Sequence, residues 1–370
     1  MLNKFLYVLV LTALVACQGQ ETPTGTTSTT SSNTLGSTDP RLNQVYYDGE
    51  RVYYQIASYT GNTAFWNACA AKAEALYRDQ YAIPSTGATA GYWVFTKGLR
   101  LDFERTGDTL SRTTAELISQ NSPFSRDGAC CPAPSGYNEA GQEFSREVAY
   151  TINSYMDTEA LGFPVRVNKN TYIGFALGHI DQWFTTFTNP ISGQWWIQPF
   201  MVGLTMRALM QVYDDTPPAS RTADMLLIPS YIKKALDGLW TGNIPGATPG
   251  QGARLNTTAT STSFFYATFI DAGSCGATPC IQLPADDLNL LIAPAFAWYY
   301  LQTGDTTYRT RGDQVFAGGV TGAFLGNGKQ FDQNYIYSID YVTWREAADV
   351  KYSGGDTTPP STPIGLKVLP

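Results

Sequence analysis

Phe103-Glu-Arg-Thr-Gly-Asp108 and Trp298-Tyr-Tyr-Leu-Gln-Thr-Gly-Asp305 are built to one plan. An aromatic stretch ends in Thr-Gly-Asp, and a new amphipathic stretch begins at once. Glycine suits the left-handed residue that terminates one helix, and aspartate is a good N-cap for the next. Each stretch therefore predicts two antiparallel helices joined by a tight turn. Val212-Tyr-Asp-Asp-Thr-Pro-Pro-Ala-Ser220 predicts a third reversal, with proline as the helix stop and Ser220 as a cap.

Outward from these turns, apolar residues recur at helical spacing over most of 41–354, and period-2 runs are scarce. The pattern predicts helices at about 62–82, 92–105, 109–121, 139–159, 169–188, 195–213, 221–240, 262–271, 285–303, 306–317 and 329–349. The segment around Asp48-Gly49 reads either as a β-hairpin turn or as the lead-in to the first helix. The expected fold class is all-α, built from helical hairpins stacked side by side.

Composition narrows the function. The 370 residues carry 15% charged side chains, a net charge of −7 and a single histidine. An acidic chain lacks the basic stripe that binds nucleic acid, so no nucleic-acid partner is expected. One histidine excludes the multi-histidine zinc and iron sites. No resident metal or other cofactor is expected from the motifs, although calcium could bridge the chain to an acidic glycan. Phosphate-cradling loops and a nucleophile elbow are also missing, since Gly318-Gly319 and Gly322 lie at the end of a predicted helix.

The ends read differently from the body. Residues 1–17 pair Lys4 with an apolar run closed by Leu14-Val15-Ala16-Cys17, which resembles the lipobox of bacterial lipoproteins. That resemblance implies lipidation at Cys17, a membrane partner through the lipid anchor, and a place in the cell envelope. Residues 18–40 are almost without apolar side chains and read as a disordered tether. Residues 355–370, with Asp356-Thr-Thr-Pro-Pro, resemble a linker and the opening strand of a fibronectin type III domain, as in a longer modular protein. In the oxidising compartment this implies, Cys275 and Cys280 are expected to close a local disulfide, and Cys69 to pair with Cys130 or Cys131.

The hairpin rhythm and the two Thr-Gly-Asp turns resemble the (α/α)6 toroid of carbohydrate-active enzymes. The resemblance implies an extracellular polysaccharide as substrate and partner, cleaved by a lyase or a glycoside hydrolase. The chain lacks the Asn-Asn-His stretch of one toroidal alginate lyase family, having Leu177-Gly178-His179 instead.

Three helical stripes carry the candidate chemistry. Tyr172, His179 and Trp183 share one face of the 169–188 helix. Arg146, Tyr150, Asn153 and Asp157 line another helix, beside Glu147. Asn334, Tyr337, Tyr341 and Arg345 line a third, flanked by Asp340. For β-elimination from a uronic acid, His179 and Tyr172 serve as base and acid while Arg146 neutralises the sugar carboxylate. For hydrolysis, Glu147 needs a second carboxylate such as Asp181, Asp340 or one of Asp286 and Asp287. Tyr150, Asn153, Trp183, Asn334, Tyr337, Asp340, Tyr341 and Arg345 are the expected substrate-binding residues, because amides, guanidinium groups and aromatic faces suit sugars. A non-catalytic glycan-binding or scaffold lipoprotein is the alternative from another class.

Overall fold

The computed structural model describes residues 35–125, 141–189, 193, 195–269, 282–324 and 326–352. The lipobox with Cys17, the tether up to residue 34, Cys130, Cys131, Cys275, Cys280 and the fibronectin-like tail fall outside the described residues.

Helices dominate, as the periodicity requires. They are α1 (Gly49–Thr60), α2 (Thr63–Glu74), α3 (Lys97–Thr106), α4 (Thr109–Asn121), α5 (Ser145–Ala160), α6 (Lys169–Asp181), α7 (Pro199–Asp215), α8 (Ala223–Thr241), α9 (Ala293–Thr303), α10 (Thr306–Gly322), α11 (Gly328–Ile336) and α12 (Ser338–Tyr352). Helices α2 and α6 run on into π-helical turns, Ala75–Ala82 and Gln182–Thr186. Only a break at Tyr337 separates α11 from α12, so they form one bent helical run rather than a hairpin.

Both Thr-Gly-Asp turns fold as their residues dictate. Gly107 and Gly304 adopt φ of 78° and 76°, a region that costs other residues about 1 kcal/mol or more. Asp108 and Asp305 then accept from the amides of Leu110 and Thr307. The α7–α8 reversal is capped by Thr222 rather than Ser220, which lies in a short 3-10 turn.

One expectation needs correction, and of the two readings at Asp48-Gly49 the helix lead-in holds. The 262–271 stretch is not helical: Ser263–Phe264 and Thr268–Phe269 are short strands, paired antiparallel with Arg254–Leu255 and Trp196–Ile197. Its β-branched and aromatic residues satisfy either period over so short a run. Around Asp48-Gly49 the chain makes no hairpin. Asp48, at φ 63°, caps α1 instead.

The helices fall into two layers. Contacts pass from α1 to α3, α5, α7, α9 and α12, and the bent α11–α12 run returns to α1. The outer helices α2, α4, α6, α8 and α10 each pack on the inner helix that precedes them. Trp66, Trp93, Trp183, Trp195 and Trp298 are fully buried in the apolar core. They fill space rather than offering sugar platforms. No helix among the described residues is long and apolar enough to cross a membrane.

Candidate functional site

The inner helices bring polar residues together. Asp48 and Arg51 from the start of α1, Lys97 from the start of α3, Tyr150, Asn153 and Asp157 from α5, Gln211 from α7 and Tyr337 from the α11–α12 break line one cavity of about 30 Å³. That is room for one or two water molecules. Lys97 also belongs to a neighbouring cleft of about 880 Å³, bordered by Arg100, Glu159, Lys169 and Asp215.

Local structure fixes each charged group. Asp48 accepts from the amides of Arg51 (3.4 Å) and Gly98 (3.1 Å), which ties α1 to α3. A Cβ at position 98 would lie 2.5 Å from the Asp48 carboxylate, so glycine there is required by the approach. Burial raises the Asp48 pKa to about 6, helped by the charge of Asp157 and opposed by Arg51 and the two amides. Asp157 is fully buried and accepts from Thr96 Oγ1 (2.8 Å), with Arg100 and Lys97 at 3.5 and 3.7 Å. Burial still raises its pKa against those partners, and burial lowers that of Lys97.

Beside this group, Asp340 Oδ2 accepts from Arg207 Nε (2.8 Å) and Arg51 Nη2 (3.4 Å). Burial works against the Arg207 charge, yet Asp340 leaves its pKa raised. Burial pushes the Tyr337 phenol up to about 12, helped by the charges of Asp340 and Asp48 and opposed by Arg51 and Arg207. The arrangement offers two neighbouring buried carboxyl groups, fixed cations and phenols, with a wide cleft adjoining at Lys97. It can move a proton near neutral pH and orient a polar, hydroxyl-rich ligand.

The sequence-predicted residues divide three ways. Tyr150, Asn153 and Tyr337 reach the cavity, and Asp340 adjoins it through Arg51. Arg146 and Glu147 pair with each other one turn from Tyr150, where Arg146 also lies 5.4 Å from the Tyr92 ring centre. They flank the cavity without lining it.

The remaining candidates lie elsewhere. His179, Tyr172 and Trp183 are fully buried in the core. The His179 and Trp183 rings are 6.2 Å apart, and the Tyr172 hydroxyl donates to the Phe124 carbonyl (2.5 Å). Asn334 is buried and donates to the carbonyls of Gln330 and Phe324. Tyr341 and Arg345 turn toward α10, where both donate to Asp313. His179, Arg146 and Tyr341 therefore do not converge. Asp181 faces Tyr231 and Lys234 of α8, and Asp287 accepts from Gln333.

Sequence reasoning missed Asp48, Arg51, Lys97, Arg207 and Gln211, and placed Asp157 on its stripe without assigning it a role. Asp48 carried the one usable signal: an aspartate before Gly-Glu-Arg is an N-cap pattern as well as a turn pattern. Cys69 is disulfide-bonded, and both of its expected partners lie outside the described residues.

Searches of known protein families, curated proteins and solved structures return no match for this chain.

Proposed function

We propose that this protein is an extracellular polysaccharide-degrading enzyme, held at the bacterial envelope by a lipid on Cys17, whose body is an (α/α)6-like toroid with one outer helix fewer than six full pairs. The observation that carries the reading is the cavity shared by Asp48 and Asp157, with Lys97 common to it and to the wide cleft. Hydrolysis of a glycosidic bond needs two carboxyl groups, one protonated and one ionised. Asp48, titrating at about 6, is suited to the proton donor. Asp157, held by Lys97, Arg100 and Thr96, is suited to the ionised partner. Tyr150, Asn153, Gln211 and Tyr337 supply hydrogen bonds for sugar hydroxyls.

Polysaccharide lyase activity is the second reading, favoured by one observation. Lys97, its pKa lowered by burial, shares the cavity with Tyr150, Tyr337 and Arg51, a set that could remove a C5 proton and neutralise a uronate. The test incubates the full chain with neutral and uronic-acid polysaccharides, following reducing ends together with absorbance at about 235 nm, where an unsaturated uronate absorbs. New ends without absorbance, lost in Asp48→Asn, are expected for hydrolysis. New ends with absorbance, lost in Lys97→Met, would replace hydrolysis by elimination. Glycan binding without cleavage across the panel would overturn both and leave a binding lipoprotein.

A further inference from the structure

Glu50, Glu74 and Asp102 bring three buried carboxylates together from α1, α2 and α3. One oxygen from each lies within 4.8 Å of the others. Oxygens that share one calcium ion at bond lengths of about 2.3–2.6 Å are separated by at most about 5 Å, so the spacing suits that ion.

A second observation points to a ligand. Glu50 is 3% exposed and its Oε1 has no hydrogen-bond partner, and Asp102 Oδ2 is likewise buried without one. The other Asp102 oxygen accepts from the Tyr54 hydroxyl (2.7 Å). Nearby positive charge is already shared: Arg78 contacts Glu74, Asp79 and Asp108 together. Among the described residues no ion pair reaches Glu50 or Asp102. Three carboxylates in so small a buried volume need a compensating cation or a bound proton.

We propose that Glu50, Glu74 and Asp102 bind one divalent cation of the calcium class, which cross-links α1, α2 and α3 and holds the α1 start that carries Asp48 and Arg51. Calcium fits better than magnesium, because magnesium demands oxygens at about 2.0–2.1 Å in near-ideal octahedral order. The site does not depend on the polysaccharide reading.

The test uses the full chain stripped with EDTA, titrated with calcium chloride in a calorimeter and melted with calcium or magnesium chloride. One calcium per chain, a higher melting midpoint in calcium than in magnesium, and about tenfold or more weaker binding in Glu50→Gln are expected. If Glu50→Gln does not fold, Asp102→Asn serves for the same comparison. Two results would overturn the proposal. One is no calcium uptake with an unmoved midpoint. The other is a Glu50→Gln chain that melts higher in calcium-free buffer and takes up calcium like the parent, since Glu50 would then be a buried protonated acid.

Discussion

The stripes on α5 and α6 look alike in sequence and end in opposite surroundings. On α6, Tyr172, His179 and Trp183 combine phenol, imidazole and indole at helical spacing, and all three are sealed in the core. On α5, Tyr150, Asn153 and Asp157 recur at similar spacing and line the cavity beside Lys97 and Asp48. Helical periodicity shows which residues share a face, but not which layer the face meets. Helix α5 belongs to the inner ring and α6 packs outside it, and that placement separates a candidate site from packing.

The sharpest way to break the contrast is to remove the proposed proton donor while keeping the fold. Asparagine caps helices as well as aspartate and tolerates left-handed φ, so Asp48→Asn should preserve α1. It should lower kcat/KM by about 10²–10⁴-fold on a glycan found to be cleaved by the parent chain, while the variant stays folded. In the core stripe the pattern should invert. Trp183→Ala, deleting a fully buried indole, should cost about 3–5 kcal/mol of stability, and the fraction that stays folded should keep its activity. If Trp183→Ala instead removed activity at full stability, α6 would be the site.

A pH series sharpens the same contrast. The folded pKa of Asp48, about 6, lies above the ordinary aspartate value of 3.8, so the native state holds the proton more tightly than the unfolded chain. Its contribution to stability is therefore complete below about pH 4 and is lost as pH rises through about 6, a change of roughly 2–3 kcal/mol. Denaturant midpoints of the parent should fall across that window relative to Asp48→Asn. Activity that depends on protonated Asp48 should decline over the same range. Equal midpoint profiles in the two proteins would remove Asp48 as a perturbed acid.

The smallest expected effect is Tyr172→Phe. It removes a hydroxyl that donates to the Phe124 carbonyl and should cost about 1–2 kcal/mol with unchanged kinetics, because a buried acceptor loses its partner. A specific loss of kcat at unchanged stability would return Tyr172 to the list of catalytic candidates.

Legibility followed the range of the forces involved. The Thr-Gly-Asp turns, the helical spans of α4, α8 and α9, and the hairpin organisation depend on capping and periodicity within a few residues, and all could be read directly. The 262–271 stretch was misread because its short strands are held by pairing outside the stretch, Ser263–Phe264 with nearby Arg254–Leu255 and Thr268–Phe269 with distant Trp196–Ile197. The site was half legible. Tyr150, Asn153, Tyr337 and Asp340 stood out as polar groups on otherwise apolar helices. Arg51, Lys97 and Arg207 did not, since a lone cation on a helix looks like ordinary surface charge until its partner is known. The Asn334, Tyr341 and Arg345 stripe failed for another reason: the break at Tyr337 turns α12 toward Asp313 and divides a face that an unbroken helix would have kept together.

By itself the sequence determined an acidic, helical, hairpin-built body and where its tight turns fall, because backbone conformation and amphipathic spacing are set locally. Tertiary structure alone decided which helices form the inner ring, and hence that His179 is packed in the core while Asp48 and Asp157 share a cavity. Burial, charge pairing and a shifted pKa arise only when residues distant in the chain exclude water from one another.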